Sequence, residues 1–404
     1  MVNMLLGRPS THSGGICILD LEFSHPIFGP PGQLSLVLLQ EPLLGPSYTN
    51  PTNTRQNKII RAHAVSRGGY NDDSEYFIAA VKDLVSCYND LRLQDNDDVS
   101  STRLIVKHPT WYDPVELEMS VEVAQFLDSN NPTQHSNILC FRDQGDALVA
   151  MRKASPKSDL HILDSRPADA PSQPTTSSLT ASELHDMQLT SYFHSRFPSP
   201  SAPLHWNPLP LSYHPPYTVS WSRSNPDFVA ILKLGTPILP HPTLLRTLLT
   251  ANLVHILVLH PTHASSTLSQ RTVLRSPGDD IPYFAAGQKG YSVPFEPGSC
   301  ETVGVALVVG MDLGTKCFWV VTPVAEEVLR ALPRGRTVLV VGGFEAPAWA
   351  VMEDEWFGEY LGGTGGKGRE RRRREHAPYL FEADEEIGVE GGVGMQAWRV
   401  RRFK

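Results

Sequence analysis

Two acids, Asp20 and Glu22, stand at the end of a short apolar run, Ile16 to Leu21, and a turn-rich stretch through Pro26, Pro30, Pro31 and Gly32 follows them. An apolar run of that length, bounded by turn formers, reads as a strand buried on both faces of a parallel sheet. In open α/β sheets, ligands gather outside the carboxyl ends of the strands. Acids placed there can hold a metal ion or orient a hydroxyl for attack on a phosphate. The same residues also spell a strand with a solvated acidic turn, and the pattern alone leaves both readings open.

Positioning such acids needs a sheet and helices to cover it. Leu34 to Leu39 reads as a second strand, and Asp72 or Asp73 as the cap of a helix carrying Phe77, Val81, Leu84, Val85 and Tyr88 at helical spacing. Leu104 to Lys107 is a further strand, running into His108, Pro109, Thr110 and Trp111. Met119, Val123, Phe126 and Leu127 mark a helix, and Asn137 to Phe141 another strand. Strands alternating with helices predict βαβ units and a mainly parallel sheet.

Ala154 to Ser182 is rich in Ser, Pro, Thr and Asp and reads as a mobile linker or lid insertion. From Asp227 onward, strands are expected at Phe228–Leu232, Val254–Leu259, Gly304–Met311, Phe318–Val321 and Thr337–Val341. Helices are expected over Pro242–Leu253 and Pro323–Leu332, the second with Thr322 as N-cap and Pro323 in the first turn. Asp312 to Lys316 reads as a hairpin turn.

The chain has 404 residues, enough for two domains, and its 41% hydrophobic and 19% charged content fits a globular protein. With 35 basic and 43 acidic residues the formal charge is −8, so any contact with RNA must use local basic patches. Five scattered cysteines, Cys17, Cys87, Cys140, Cys300 and Cys317, form no C-x-x-C pair, which argues against a zinc site or a disulfide framework and for a reducing compartment. No apolar run approaches the roughly 20 residues of a spanning helix, and no membrane association is expected. Neither Gly7–Gly15 nor Gly362–Lys367 completes a G-x-x-x-x-G-K-S/T phosphate loop, since Gly368 follows Lys367. The run Arg369, Arg371 to Arg374 fits RNA phosphates, a nuclear address or a solvated charged loop.

The stretch from Asp20 to Pro46 resembles the nucleolar polynucleotide 5′-hydroxyl-kinase family of fungi, relatives of the RNA kinase of the mRNA cleavage machinery. That family carries D-x-D-P-G-Q-P-E-F-x-P-P-G, then an apolar strand and L-G-P-P. Asp20, Pro26, Phe28, Pro30, Pro31, Gly32, Gly45 and Pro46 match. Glu22 replaces the second acid, Phe23-Ser24 the P-G pair, and His25 the glutamine. Met187, Gln188, Ser191, Tyr192, Phe193 and His194 match the family's lid helix, where His185 stands at the arginine position. Trp111 matches the family's P-G-W turn, with Thr110 in place of its glycine. Val303 to Leu329 resembles the family's C-terminal domain, and the last residues resemble its C-terminus, so the chain is expected to be complete at that end.

The resemblance implies an α/β fold: an incomplete P-loop-kinase-like parallel sheet with flanking helices, plus a C-terminal mixed, β-rich domain. The expected divisions are a partial kinase-like domain over 1–153, a disordered linker or lid insertion over 154–182, a lid or connector over 183–226, the β-rich domain over 227–350, and a charged loop and tail over 351–404. The implied reaction moves the γ-phosphate of ATP to an RNA 5′-hydroxyl, with Asp20 and Glu22 as its catalytic residues, Asp20 orienting that hydroxyl and both serving Mg²⁺. His25, Trp111 and His185 are then the substrate-binding residues. The implied setting is the nucleolus, the substrate pre-rRNA with 5′-hydroxyl ends, and the partner the endonuclease of the spacer-processing complex. Three readings stay open. The chain is an N-terminally truncated kinase, a catalytically inactive scaffold for that endonuclease, or a decaying paralogue.

Overall fold

The computed structural model describes residues 2–6, 15–94, 102–108, 114–130, 137–141, 145–156, 158–163, 180–196, 204–235, 241–286, 292–344, 350, 353, 380–382 and 398–400. Trp111, Thr110 and the arginine run at 369–374 lie outside them, as does most of the expected linker and tail.

A short helix, Val2–Leu6 (α1), precedes the first strand, Ile16–Asp20 (β1), every residue of which is buried. Its side chains alternate between two cores, as a pleated strand requires. Cys17 and Leu19, with Leu21 beyond them, pack into one core, and Ile18 joins Phe28, Val37 and Leu39 in the other. Gln33–Leu39 (β2) and Lys58–Ala64 (β3) follow. Ser74–Gln94 (α2) lays Phe77, Ile78, Val81, Leu84, Val85 and Tyr88 onto the first core. Each such side chain, once fully buried, stabilises the fold by about 1.5–3 kcal/mol. Between the two candidate caps, Asp73 is the one used, its Oδ1 accepting the Tyr76 N–H at 2.9 Å.

Arg103–Lys107 (β4) completes a four-stranded sheet of order β3-β2-β1-β4. Pro114–Asn130 (α3) adds Met119, Val123, Phe126 and Leu127 to the α2 core, as expected. The α/β class holds, but the strands of this sheet run less parallel than the alternation predicts. Only β1 and β4 are parallel, while β2 runs antiparallel to both β1 and β3. The cause is local: the 21–32 segment turns the chain back with Gly29 and Gly32 both at φ +84°, so β2 returns beside β1 with no crossover helix.

Asn137–Phe141 (β5) pairs in parallel with Asp159–Leu163 (β6), across Gly145–Ala154 (α4). The strand β6 falls inside the stretch assigned to a disordered linker, which is corrected there: Leu160, Ile162 and Leu163 supply a strand that Ser- and Pro-rich neighbours conceal. The long helix Ala181–His194 (α5) opens with a capping box between Thr180 and Glu183. Ser195–Arg196 (β7) and His205–Trp206 (β8) form a small ribbon after it.

An eight-stranded mixed sheet makes up the C-terminal part. It contains Tyr217–Ser220 (β9), Ile231–Lys233 (β10), Leu253–Leu259 (β11), Val273–Arg275 (β12), Pro282–Phe284 (β13), Cys300–Asp312 (β14), Cys317–Val321 (β15) and Thr337–Val341 (β16). Its order is β12-β13-β10-β16-β11-β14-β15-β9, parallel only where β10 meets β13 and β16. The strand β9 extends this sheet to residues before 227, and Asp312 Oδ1 closes the expected β14–β15 turn by accepting from Gly314 N–H at 2.8 Å.

Leu245–Leu249 (α6) follows a 3-10 turn, shorter than the helix expected there, and Pro261–Ser269 (α7) covers β11. The last helix, Glu326–Ala331 (α8), begins at Ala325 and not at Thr322. Thr322 is spent elsewhere, its hydroxyl donating to Val305 O at 2.7 Å across the sheet. Two short paired strands, Leu380–Glu382 (β17) and Trp398–Val400 (β18), close the described chain.

The two sheets meet through polar contacts. Arg61 of β3 pairs with Asp83 of α2 at 2.7 Å and touches His260 Nε2 at 3.1 Å. The Thr302 hydroxyl of β14 accepts the Ala64 N–H at 2.8 Å.

Candidate active site

The parallel pairing of β1 and β4 places Asp20 opposite Lys107, both at the carboxyl ends of their strands. Strand parity puts Asp20 on the same side of the sheet as Ile18, under the loop that returns to β2. The loop covers it, and only 1% of the residue is exposed. Its Oδ1 accepts the Glu22 N–H at 3.2 Å and its Oδ2 the Ile27 N–H at 2.5 Å. The carboxylate therefore ties both ends of the 22–27 turn. Burial pushes the Asp20 carboxyl up to about 6, against the Lys107 charge and the two N–H bonds, which hold it down.

Glu22 enters this arrangement through its main chain, as a donor to Asp20, and through its charge, which adds to the rise of the Asp20 carboxyl. Lys107 Nζ donates to His25 O at 2.5 Å and stands 3.7 Å from Asp20 Oδ1. Among residues of chemical interest, the sequence reading overlooked Lys107. Its one signal was a lysine closing an apolar strand of the same length as β1.

The structure brings His25 and His185 together. His25 Nε2 bonds Ala181 O at 2.8 Å, and His185 Nδ1 bonds Ser24 O at 3.1 Å, so each ring holds the other's segment. The two rings lie edge to face with centroids 6.3 Å apart. Next along α5, Gln188 Nε2 donates to Pro26 O and Gly29 O, both at 2.9 Å. Ser191 Oγ donates to Tyr48 O, and Tyr192 Oη accepts the Val305 N–H at 3.0 Å. The helix thereby binds the acid loop on one side and β14 on the other. At its end, His194 sets one ring nitrogen on Asn207 O and the other on Glu353 Oε1, both at 2.7 Å.

The chain resembles known proteins over this whole region. Residues 1–195 match the family described as mRNA cleavage and polyadenylation factor CLP1 P-loop. The protein named polynucleotide 5′-hydroxyl-kinase grc3 of Aspergillus niger is 26% identical over 388 residues, covering 85% of this chain and 45% of that protein. The protein of the same name from Emericella nidulans is 26% identical over 440 residues, covering 98% and 51%. The chain is similar to proteins named Grc3 polynucleotide 5′-hydroxyl-kinases. It spans about half the length of the curated relatives it matches. A weaker likeness, with a TM-score of 0.48 at 13% identity, is to a chain of the wild-type Clp1p–Pcf11p complex, over 83% of this chain and 68% of that one.

Kinase relatives imply ATP and Mg²⁺. The 404 residues contain no G-x-x-x-x-G-K-S/T to cradle phosphates. Among the described residues, no group of three or more His, Cys, Asp and Glu side chains is arranged to hold a metal ion. The oxygens of Asp20 face two backbone N–H groups and an ammonium, so the residues at this site do not fit a directly bound Mg²⁺.

Proposed function

We propose that this chain belongs to a polynucleotide 5′-hydroxyl-kinase of pre-ribosomal RNA processing, working in the nucleolus beside the endonuclease of the spacer-processing complex, and that the Asp20 end of β1 receives the RNA 5′-hydroxyl. The observation that carries this reading is the placement of Asp20 at the shared carboxyl end of parallel β1 and β4, beneath the helix that bears His185. An acid there has the position to orient the attacking hydroxyl, and phosphoryl transfer asks mainly for positioning and charge neutralisation. The proposal gives these 404 residues the hydroxyl side of the reaction. Since Asp20 is 1% exposed, admitting the RNA end requires the 22–27 turn to lift away from α5.

The experiment is 5′-phosphorylation of a 5′-hydroxyl oligoribonucleotide by the protein captured from its own cells, compared with Asp20→Asn. Transfer that Asp20→Asn abolishes supports the reading, and absence of transfer overturns it.

One observation favours a second reading, a non-transferring scaffold for the partner endonuclease: both carboxylate oxygens of Asp20 are engaged in closing the loop. On that reading neither form phosphorylates RNA, and capture of the endonuclease survives Asp20→Asn.

A further inference from the structure

We propose that the Lys107 ammonium is the cation of the Asp20 site, in the place where a phosphoryl-transfer centre holds a divalent metal, and that the acid loop of this chain closes without one. The inference rests on the reading of the Asp20 end as the reacting end. It goes further by assigning the charge partner there.

Three observations lead to it. Asp20 and Lys107 are direct register partners on adjacent parallel strands, so their side chains leave the sheet at one level on one face. The ammonium lies 3.7 Å from Asp20 Oδ1 and donates to His25 O, which removes a second hard oxygen from a metal's reach. The carboxylate itself is 1% exposed, with Glu22 N–H on one oxygen and Ile27 N–H on the other, while the lysine side chain beside it is 29% exposed.

A divalent ion fits this geometry badly. Mg²⁺ asks for near-octahedral oxygen ligands at about 2.0–2.1 Å and keeps several waters. A carboxylate so buried is closed to those waters, and the Lys107 charge acts on it more strongly than the Glu22 charge. Lys107 instead satisfies the electrostatic need at once, since burial of an unpaired carboxylate is costly. Burial and the lysine act in opposite directions on the Asp20 carboxyl, burial raising its pKa and the Lys107 charge lowering it.

The test uses Mn²⁺ alone as a paramagnetic probe on the isotope-labelled chain, read at the backbone amides of Leu21, Glu22 and Ile27. The wild type shows no broadening there that depends on Asp20. Lys107→Asn gains broadening at these amides, and adding Asp20→Asn to the same chain removes it. Lys107→Arg, which keeps the charge, stays silent like the wild type. Wild-type broadening at these amides that Asp20→Asn abolishes overturns the proposal. So does a silent Lys107→Asn chain whose Ile27 amide keeps its wild-type shift, since the loop is then intact and still takes no metal. Neither RNA nor ATP enters the readout, so failure of the kinase reading and failure of this assignment are separable.

Discussion

Gln188 reaches 162 positions back along the chain to donate a hydrogen bond to Pro26 O at 2.9 Å, and the same amide nitrogen bonds Gly29 O. With the His185–Ser24 and His25–Ala181 contacts, Gln188 ties α5 to the loop over Asp20. The residue is fully buried. Gln188→Leu keeps the volume and strands two loop carbonyls, each worth about 1–3 kcal/mol when buried without a partner. The urea midpoint is expected to fall with an unchanged slope. An unchanged midpoint contradicts the role given to this helix.

The end of α5 carries a pH-dependent contact. Burial opposes protonation of His194, but the Glu353 carboxylate and Asn207 carbonyl outweigh it and hold the imidazole above its usual range. A histidine raised on folding contributes stability that is fully present below its unfolded pKa, about 6.5, and lost as pH rises through the folded value. Thermal stability is therefore expected to decline from mildly acidic to mildly alkaline pH. In Glu353→Gln that part of the slope flattens. Parallel slopes in the two proteins count against the pair.

Gly32 joins the acid loop to β2 with φ +84°, and a Cβ built there lies 2.6 Å from the Phe344 ring and 3.1 Å from His255 Nε2. His255 is fully buried, stacked on Phe344, and burial pushes its imidazole down to about 3, so it stays neutral. Gly32→Ala meets a left-handed backbone cost of about 1–2 kcal/mol and an overpacking cost of about 1–3 kcal/mol. A drop in melting temperature is expected from calorimetry. A variant as stable as the wild type contradicts the closeness of loop and sheet.

Much of this fold was legible in the residues, and what was not has identifiable reasons. The run Ile16 to Leu21 gave a strand buried on both faces because both its parities are apolar. Thr337–Val341 was legible to the residue because all five positions are buried. Pairing direction was not. An apolar run has the same composition in parallel and antiparallel neighbours, and the left-handed Gly29 and Gly32 that reverse the chain show only as two more loop glycines. The hydroxyl of Thr322 could serve a helix or a strand across the sheet, and only tertiary contact decides.

The site divides in the same way. Asp20, His25 and His185 stand out by type and place, and the structure joins their segments. Glu22 was read as a metal-serving acid, and the structure shows its N–H on Asp20 and its charge beside the same carboxyl. Lys107 was missed because its meaning depends on the register of β1 against β4, which no local pattern encodes.

Phosphorylation of a 5′-hydroxyl oligoribonucleotide tests the central claim most directly. The protein is captured from its own cells and given labelled ATP, with Asp20→Asn in parallel. The account predicts label on the RNA 5′ end, reduced at least about 100-fold by Asp20→Asn, the lower range for loss of a positioned acid or base. No label from the wild type, or equal label from both forms, contradicts it.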